Sequence, residues 1–231
     1  MRCFYTLFIM LLMFCQSSVF AEQTSMKISV VNDSPVVLWY KNYVEHAYNH
    51  LDFRITFMQL PSGRGAIEAN KGNIDALTIR TSLVEHAIPE FIRVPIVLAS
   101  GKLMLFCQID VICDPTIVNQ KRKTIGTIAG VNVTKVFMAD KKANIYEVAS
   151  AGKVAEMFMR KRLDYLLTIT SEDFGNYVDL PEYQYQTAEL TTLKGYHYLH
   201  KRHQALLPDI ERALALAIED IGPYPKSSIS R

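Results

Sequence analysis

Arg80 closes the run Ala76-Leu77-Thr78-Ile79, which reads as a buried strand. An arginine in that place needs an anionic partner or several acceptors, because its guanidinium stays charged at any accessible pH. Three readings are open: it holds a ligand carboxylate or phosphate, it pairs with an acid nearby in the fold, or it faces solvent. Thr81 follows it with a hydroxyl. Arg64 stands where a helix begins, beside the positive end of the helix dipole, so it either meets an anion or is solvated. Gly130 precedes another helix. Its neighbours' backbone N–H groups can face an anion there, although glycine also serves such turns for steric reasons alone. Ser34, Thr168 and Thr170 add hydroxyls at further strand ends. In open α/β sheets these carboxyl ends are where ligands bind. The chemistry on offer is that of gripping a small anion.

Other chemistries have less to work with. His46 and His50 sit four apart, and His197, His200 and His203 step by three. Zinc needs three or four convergent ligands, and neither group carries an evident carboxylate or cysteine partner besides Glu45, so surface histidines are expected and no metal. There is no nucleophile elbow, no phosphate-cradling glycine loop and no zinc hydrolase spacing. No cofactor and no catalytic residue is therefore assigned, with Asp75, Asp164 and Glu172 read as turn or cap residues. Trp39, Tyr40 and Tyr43 share a helix, where an aromatic stripe serves either as core or as a platform for a ligand.

The elements that would carry these residues alternate. Lys27–Val31 reads as a strand, and the apolar positions Val37, Tyr40, Val44, Ala47 and Leu51 step by three and four as a helix does. Ser34 is its expected N-cap, with Pro35 in the first turn. Phe53–Leu60 is a strand, Gly65–Asn70 a short helix closed by Gly72, and Ile74–Ile79 a third strand. Later the pattern recurs: Thr124–Ile128 strand, Val131–Met138 helix, Asn144–Val148 strand, Gly152–Arg160 helix, Leu163–Ile169 strand. Lys71-Gly72-Asn73-Ile74-Asp75 and the strand after it resemble Lys161-Arg162-Leu163-Asp164 and its strand, both ending Thr-Ile. A spacing of about 90 residues is lobe-sized and longer than a solenoid repeat. Arg93–Phe106 and Gly195–His200 are strand-like connections between the two halves, and a helix from Ala205 to Asp220 ends the fold. Two crossings of this kind permit hinge closure on a ligand.

Composition places the protein outside the cytoplasm. Met1-Arg2, an apolar run from Cys3 to Cys15 and small Ala21 form a secretory signal over residues 1–21. Its removal takes Arg2 and lowers the formal net charge of +2 to about +1. That balance argues against nucleic acid as a partner, and no later run is long enough to span a membrane. The two remaining cysteines, Cys107 and Cys113, are an even pair in an exported chain and read as a disulfide. A free pair or half of a metal site are the competing readings.

In the order and spacing of these segments the chain resembles the periplasmic solute-binding proteins of family 3, the two-lobed venus-flytrap proteins of ABC importers. The carriers are Gly72-Asn73-Ile74-Asp75, Arg93-Val94-Pro95, Thr124-Ile125-Gly126 with Gly130, Arg160 with Leu163-Asp164, and Tyr196-His197-Tyr198-Leu199 with the final helix. A divergent branch is indicated by the Pro61, Arg64, Ala69-Asn70, Gly72, Asp75, Arg80 pattern. The resemblance implies an α/β, two-lobed fold with two hinge crossings. Residues 22–100 and 194–231 would form lobe one and residues 101–193 lobe two. It also implies a periplasmic, monomeric binder of a small molecule that works with an ABC permease, or alternatively with a membrane sensor protein; an enzyme on the same scaffold is the remaining alternative. Two departures stand out. The arginine that clamps an amino-acid carboxylate in this family falls about 12 positions past Asp75, at Ala87 beside His86. The strand after Asp164 ends Leu167-Thr168-Ile169-Thr170, with no carboxylate for a ligand ammonium. The expected ligand is a small polar, anionic solute held by Ser34, Arg64, Arg80, Thr81, Gly130, Thr168 and Thr170.

Overall fold

A computed structural model describes residues 25–31, 35–171, 173–181 and 185–224. The expected signal segment and Ser34 lie outside the described residues. The strands are β1 (Ser25–Val30), β2 (Arg54–Gln59), β3 (Ala76–Thr81), β4 (Phe91–Gln108), β5 (Thr124–Ile128), β6 (Asn144–Val148), β7 (Tyr165–Ser171), β8 (Gly175–Asn176) and β9 (Tyr185–His200). The α-helices are α1 (Pro35–His50), α2 (Ser62–Asn70), α3 (Asn132–Met138), α4 (Ala151–Met159) and α5 (Leu207–Ile221).

Strand order is β2-β1-β3-β9-β4-β7-β5-β6, which mirrors about its centre. On one side β3 pairs parallel with β1 and antiparallel with β9; on the other β7 pairs parallel with β5 and antiparallel with β4. The sequence similarity between the β3 and β7 segments therefore marks two strands in equivalent places. Each follows a helix whose end carries a left-handed residue, Gly72 (φ 75°) after α2 and Lys161 (φ 55°) after α4. Asparagine-rich or glycine turns suit that conformation, and lysine tolerates it at a cost.

β4 and β9 are the two crossings. They run antiparallel from Phe91 opposite His200 to Gln108 opposite Tyr185. Each therefore belongs to one half at one end and to the other half at the other. The change occurs around the pairs Ala99–Gly195, Ser100–Lys194 and Gly101–Leu193. Gly101 is needed there, because a Cβ would stand 2.7 Å from the Thr170 carbonyl oxygen of β7. β9 is ten residues longer than its apolar signal predicted. Residues 185–194 are rich in exposed polar side chains, and a register shift between Leu103 and Met104 of β4 breaks the alternation. Pairing with β4 holds that stretch extended.

Each half has apolar packing on both sheet faces, the mark of a three-layer α/β arrangement. Tyr40, Val44, Ala47 and Tyr48 of α1 join Ile210, Leu214 and Ala217 of α5 over β1 and β3. Ala69 of α2 packs with Leu77, Phe91 and Tyr198 on the opposite face. In the other half, Val133 and Met138 of α3 pack with Leu105, Ile125 and Leu167, while Val154, Ala155 and Phe158 of α4 pack with Phe106, Ile128 and Leu166. A 3-10 turn, Lys201–Leu206, precedes α5, which begins at Leu207 and not at the expected Ala205, with Pro208 in its first turn.

That turn is fastened by Asp75. Its Oδ2 accepts the Lys27 N–H (2.8 Å), and Oδ1 accepts from Arg202 Nη2 (2.5 Å) and His203 Nε2 (2.7 Å). Burial alone would raise the Asp75 pKa; the hydrogen bonds from Lys27, His203 and Arg202 outweigh it and hold the carboxyl below its ordinary value. Asp75→Ala removes the acceptor from the Lys27 N–H and His203 and leaves Arg202 with the Gly72 and Ile74 carbonyls, and should cost about 3 kcal/mol in urea unfolding. The carboxylate's contribution is present at neutral pH and is lost as acid protonates it. An unchanged midpoint would show the staple to be dispensable.

Cys107 and Cys113 are joined as a disulfide, with Cα atoms 5.6 Å apart. It fastens the end of β4 to the loop before the 3-10 turn Pro115–Asn119. A loop this short stabilises by about 2 kcal/mol on the chain-entropy account. Reduction should add two mass units and lower the urea midpoint accordingly; an intact mass unaltered by reductant would refute the bond.

Candidate functional site

The parallel strands of both halves point their carboxyl ends at one cleft. Val31 beyond β1, Ile79-Arg80-Thr81 of β3, Ile128 of β5 with Ala129-Gly130 beyond it, Ala149-Ser150 beyond β6 and Ile169 of β7 all line a cavity of about 590 Å³. The crossing strands floor it with Ala99, Ser100, Gly101, Leu193 and Gly195, and Tyr40 of α1 and Phe174 and Tyr177 after β7 complete the wall. This volume suits a small-molecule site. The position at the crossings is where hinge movement would open or close the cavity.

Arg80 is its unusual member. The side chain is 8% exposed. Nη1 donates to the carbonyl of Ile79 at 2.7 Å, while Nη2 has no hydrogen-bond partner among the described residues. No described acid forms an ion pair with it. The guanidinium is pressed beneath the first turn of α2: a Cβ on Gly65 would fall 2.9 Å from both Arg80 Nη2 and Ser29 Oγ. Burial lowers the Arg80 pKa to about 10, so it is still a cation at neutral pH. Buried charges are ordinarily paired and buried polar atoms hydrogen-bonded. Here the hydroxyls of Tyr40 and Thr81, two more lining residues, are buried and unpartnered as well. Burial, followed by the nearby charge of Asp173, raises the Tyr40 pKa, so its phenol remains a neutral donor. Among its buried, unpartnered groups the arrangement offers one positive charge and two hydroxyls, in a mainly apolar chamber whose other polar side chains are Ser100, Asn132, Ser150 and Tyr177.

Three of the residues expected from sequence, Arg80, Thr81 and Gly130, are brought together on this wall. Gly130 has φ 81° and turns the chain into α3. Arg64 stands exposed on α2, away from the wall. Thr168 is buried with its hydroxyl unpartnered, and Thr170 pairs with Lys102 and Asn176; neither lines the cavity, whereas Ile169 between them does. Alternation along β7 decides this, since successive side chains point to opposite faces. Of the aromatic trio, Tyr40 reaches the cavity, while Trp39 and Tyr43 pack together and Tyr43 donates to the Gly222 carbonyl. Phe174 and Tyr177 went unnoticed in the sequence because they follow β7 in a segment without periodicity.

The histidines disperse. His46 meets Asp220 at 3.4 Å, His203 binds Asp75, and His197 is enclosed in the core. Among the described residues no three His, Cys, Asp or Glu side chains are grouped to hold a metal ion, and no helix is long and apolar enough to cross a membrane.

The fold these features define is the bilobal periplasmic-binding-protein fold with two hinge crossings. Solved structures agree with it. The probable amino-acid ABC transporter extracellular-binding protein ytmK of Bacillus subtilis shares 18% identity at a TM-score of 0.57, covering 86% of this chain and 94% of its own. An ABC uptake transporter substrate-binding protein of Streptococcus pneumoniae with bound histidine shares 16% at 0.58, covering 85% and 87%. The arginine-bound form of truncated ArgBP from T. maritima shares 10% at 0.59, covering 83% and 95%. At these identities the likeness is one of fold. No family and no curated protein matches the sequence.

Proposed function

We propose that the protein is an exported solute-binding protein that closes two lobes, residues 22–100 with 194–231 and residues 101–193, around a small anionic solute. The observation that carries this reading is Arg80: a buried cation without a described counter-ion, on the wall of a ligand-sized cavity at the lobe crossings. An anion entering there would supply the missing acceptors, and Thr81, Tyr40 and the backbone around Gly130 would complete its shell. One fold neighbour is described as a probable amino-acid ABC transporter extracellular-binding protein and another as an ABC uptake transporter substrate-binding protein with bound histidine, which favours a binder over an enzyme and an ABC permease as partner. The signal-like residues 1–21 favour a periplasmic location for a monomeric carrier.

A thermal-shift screen of the secreted protein against amino acids, organic acids, phosphorylated metabolites and polyamines tests the reading. A ligand present at 100 times its Kd should add about 2.7 kcal/mol to stability. A flat response across all four classes would overturn solute binding, and hits confined to polyamines would overturn the anion.

A further inference from the structure

We propose that the solute is an aryl monocarboxylate lacking an ammonium group, with its acid head on Arg80 and its ring in the apolar part of the cleft. The inference rests on the solute-binding reading above and narrows it through three features of the wall.

The first is charge. Arg80 is the one charged residue among the described residues lining the cavity. Asp173, whose charge reaches Tyr40, is not part of that wall. A ligand carboxylate thus has a cation to meet, whereas a ligand ammonium would exchange its water for neutral oxygens alone, such as those of Thr81, Ser100, Asn132 and Ser150, with a like charge on Arg80 and no described carboxylate on the wall.

The second is apolarity. Ile79 and Val84 on one side and Ile128, Val131 and Ile169 on the other supply aliphatic surface on both sides of the crossings. A compact polar anion such as phosphate or a dicarboxylate would leave that surface facing water, while a hydrocarbon tail would cover it.

The third is the placement of rings. Tyr40 comes from α1 of one half, and Phe174 and Tyr177 from the segment after β7 of the other. Rings contributed by both halves give an aromatic tail edge and face contacts that tighten as the halves approach. The Tyr40 hydroxyl remains available to the acid head.

Calorimetric titration of the secreted protein with 3-phenylpropionate, L-phenylalanine, 3-phenyl-1-propanol, L-arginine and L-histidine tests this directly. 3-Phenylpropionate should bind at least tenfold tighter than L-phenylalanine, which adds only the ammonium, and than the alcohol, which lacks the charge and one oxygen. Phenylalanine binding as tightly, the alcohol binding as tightly, or affinity confined to other amino acids or other acids would overturn the aryl-acid assignment and leave solute binding standing. Silence in this panel and in the wider screen would overturn solute binding itself. In Arg80→Gln the margin between acid and alcohol should vanish; if that variant does not fold, the wild-type comparison alone decides.

Discussion

Arg80→Gln should weaken solute binding about 100-fold, about 2.7 kcal/mol, while leaving the unliganded protein at least as stable as the wild type. The two halves of this expectation share one cause. In the unliganded protein the guanidinium has lost its water and gained one hydrogen bond, to the Ile79 carbonyl. Removing a buried charge that has no described counter-ion relieves a desolvation cost that outweighs the small void left by the shorter neutral amide, so the urea midpoint should not fall. In the complex that charge would make the charge-assisted contacts on which affinity depends. Arg80→Lys should recover only part of the affinity, because an ammonium lacks the planar fork that engages a carboxylate at two points. The measurement is paired: calorimetric Kd and urea midpoint on the same preparations. Affinity unchanged with stability reduced by 2 kcal/mol or more would make Arg80 a structural residue and refute the anion grip.

Stability should also fall by about 3 kcal/mol between pH 6.5 and pH 4 on account of His197 alone. The side chain is fully buried in β9. Its Nδ1 faces the Thr78 carbonyl at 3.3 Å, which can only accept, so Nδ1 carries the proton. Nε2, 3.0 Å from the Tyr48 hydroxyl, is then left to accept. Burial lowers the His197 pKa from 6.5 to about 4, against smaller opposing contributions from the Thr78 and Leu77 backbones. The unfolded chain therefore binds a proton through this window that the folded chain does not. Stability is complete above pH 6.5, declines as pH falls and levels off below about 4 as far as this group is concerned. Asp75 adds a separate loss, displaced to more acid pH by its lowered pKa. Urea unfolding from pH 8 to pH 4 gives the slope, and His197→Gln should remove most of it. A native His197 imidazole titrating near pH 6.5 by NMR would sink the argument.

Local pattern was enough for most of the elements. The steps of three and four through Val37, Tyr40, Val44 and Ala47 mark α1, and β5 and β6 have the limits that their apolar runs suggested. These features depend on neighbours in sequence, as side-chain period and turn chemistry do. The kinship of β3 and β7 was visible for the same reason, since each joins a helix end to a buried strand through a left-handed residue. The limits of β9 were not, because residues 185–194 are extended by pairing with a strand 77 (Tyr185 to Gln108) to 94 (Lys194 to Ser100) positions earlier.

The site divides along the same line. Arg80 could be singled out from the sequence because a cation at the end of an apolar strand is costly wherever the chain folds. Whether the cost is met was undecided: a neighbouring acid, solvent and a ligand were equally compatible with the local residues. Tertiary packing narrowed them by burying the guanidinium with Nη2 against Gly65 of α2 and placing no described acid beside it. It likewise turned Ile169 into the cleft between Thr168 and Thr170, and set Phe174 and Tyr177 across from Tyr40. The sequence by itself determined the alternation of elements, the paired halves, the cysteine pair and one cation that needs a partner. The cavity, its apolar wall and the burial of Arg80 away from any described acid were decided only by tertiary structure, because they are made where five strand ends distant in the chain converge.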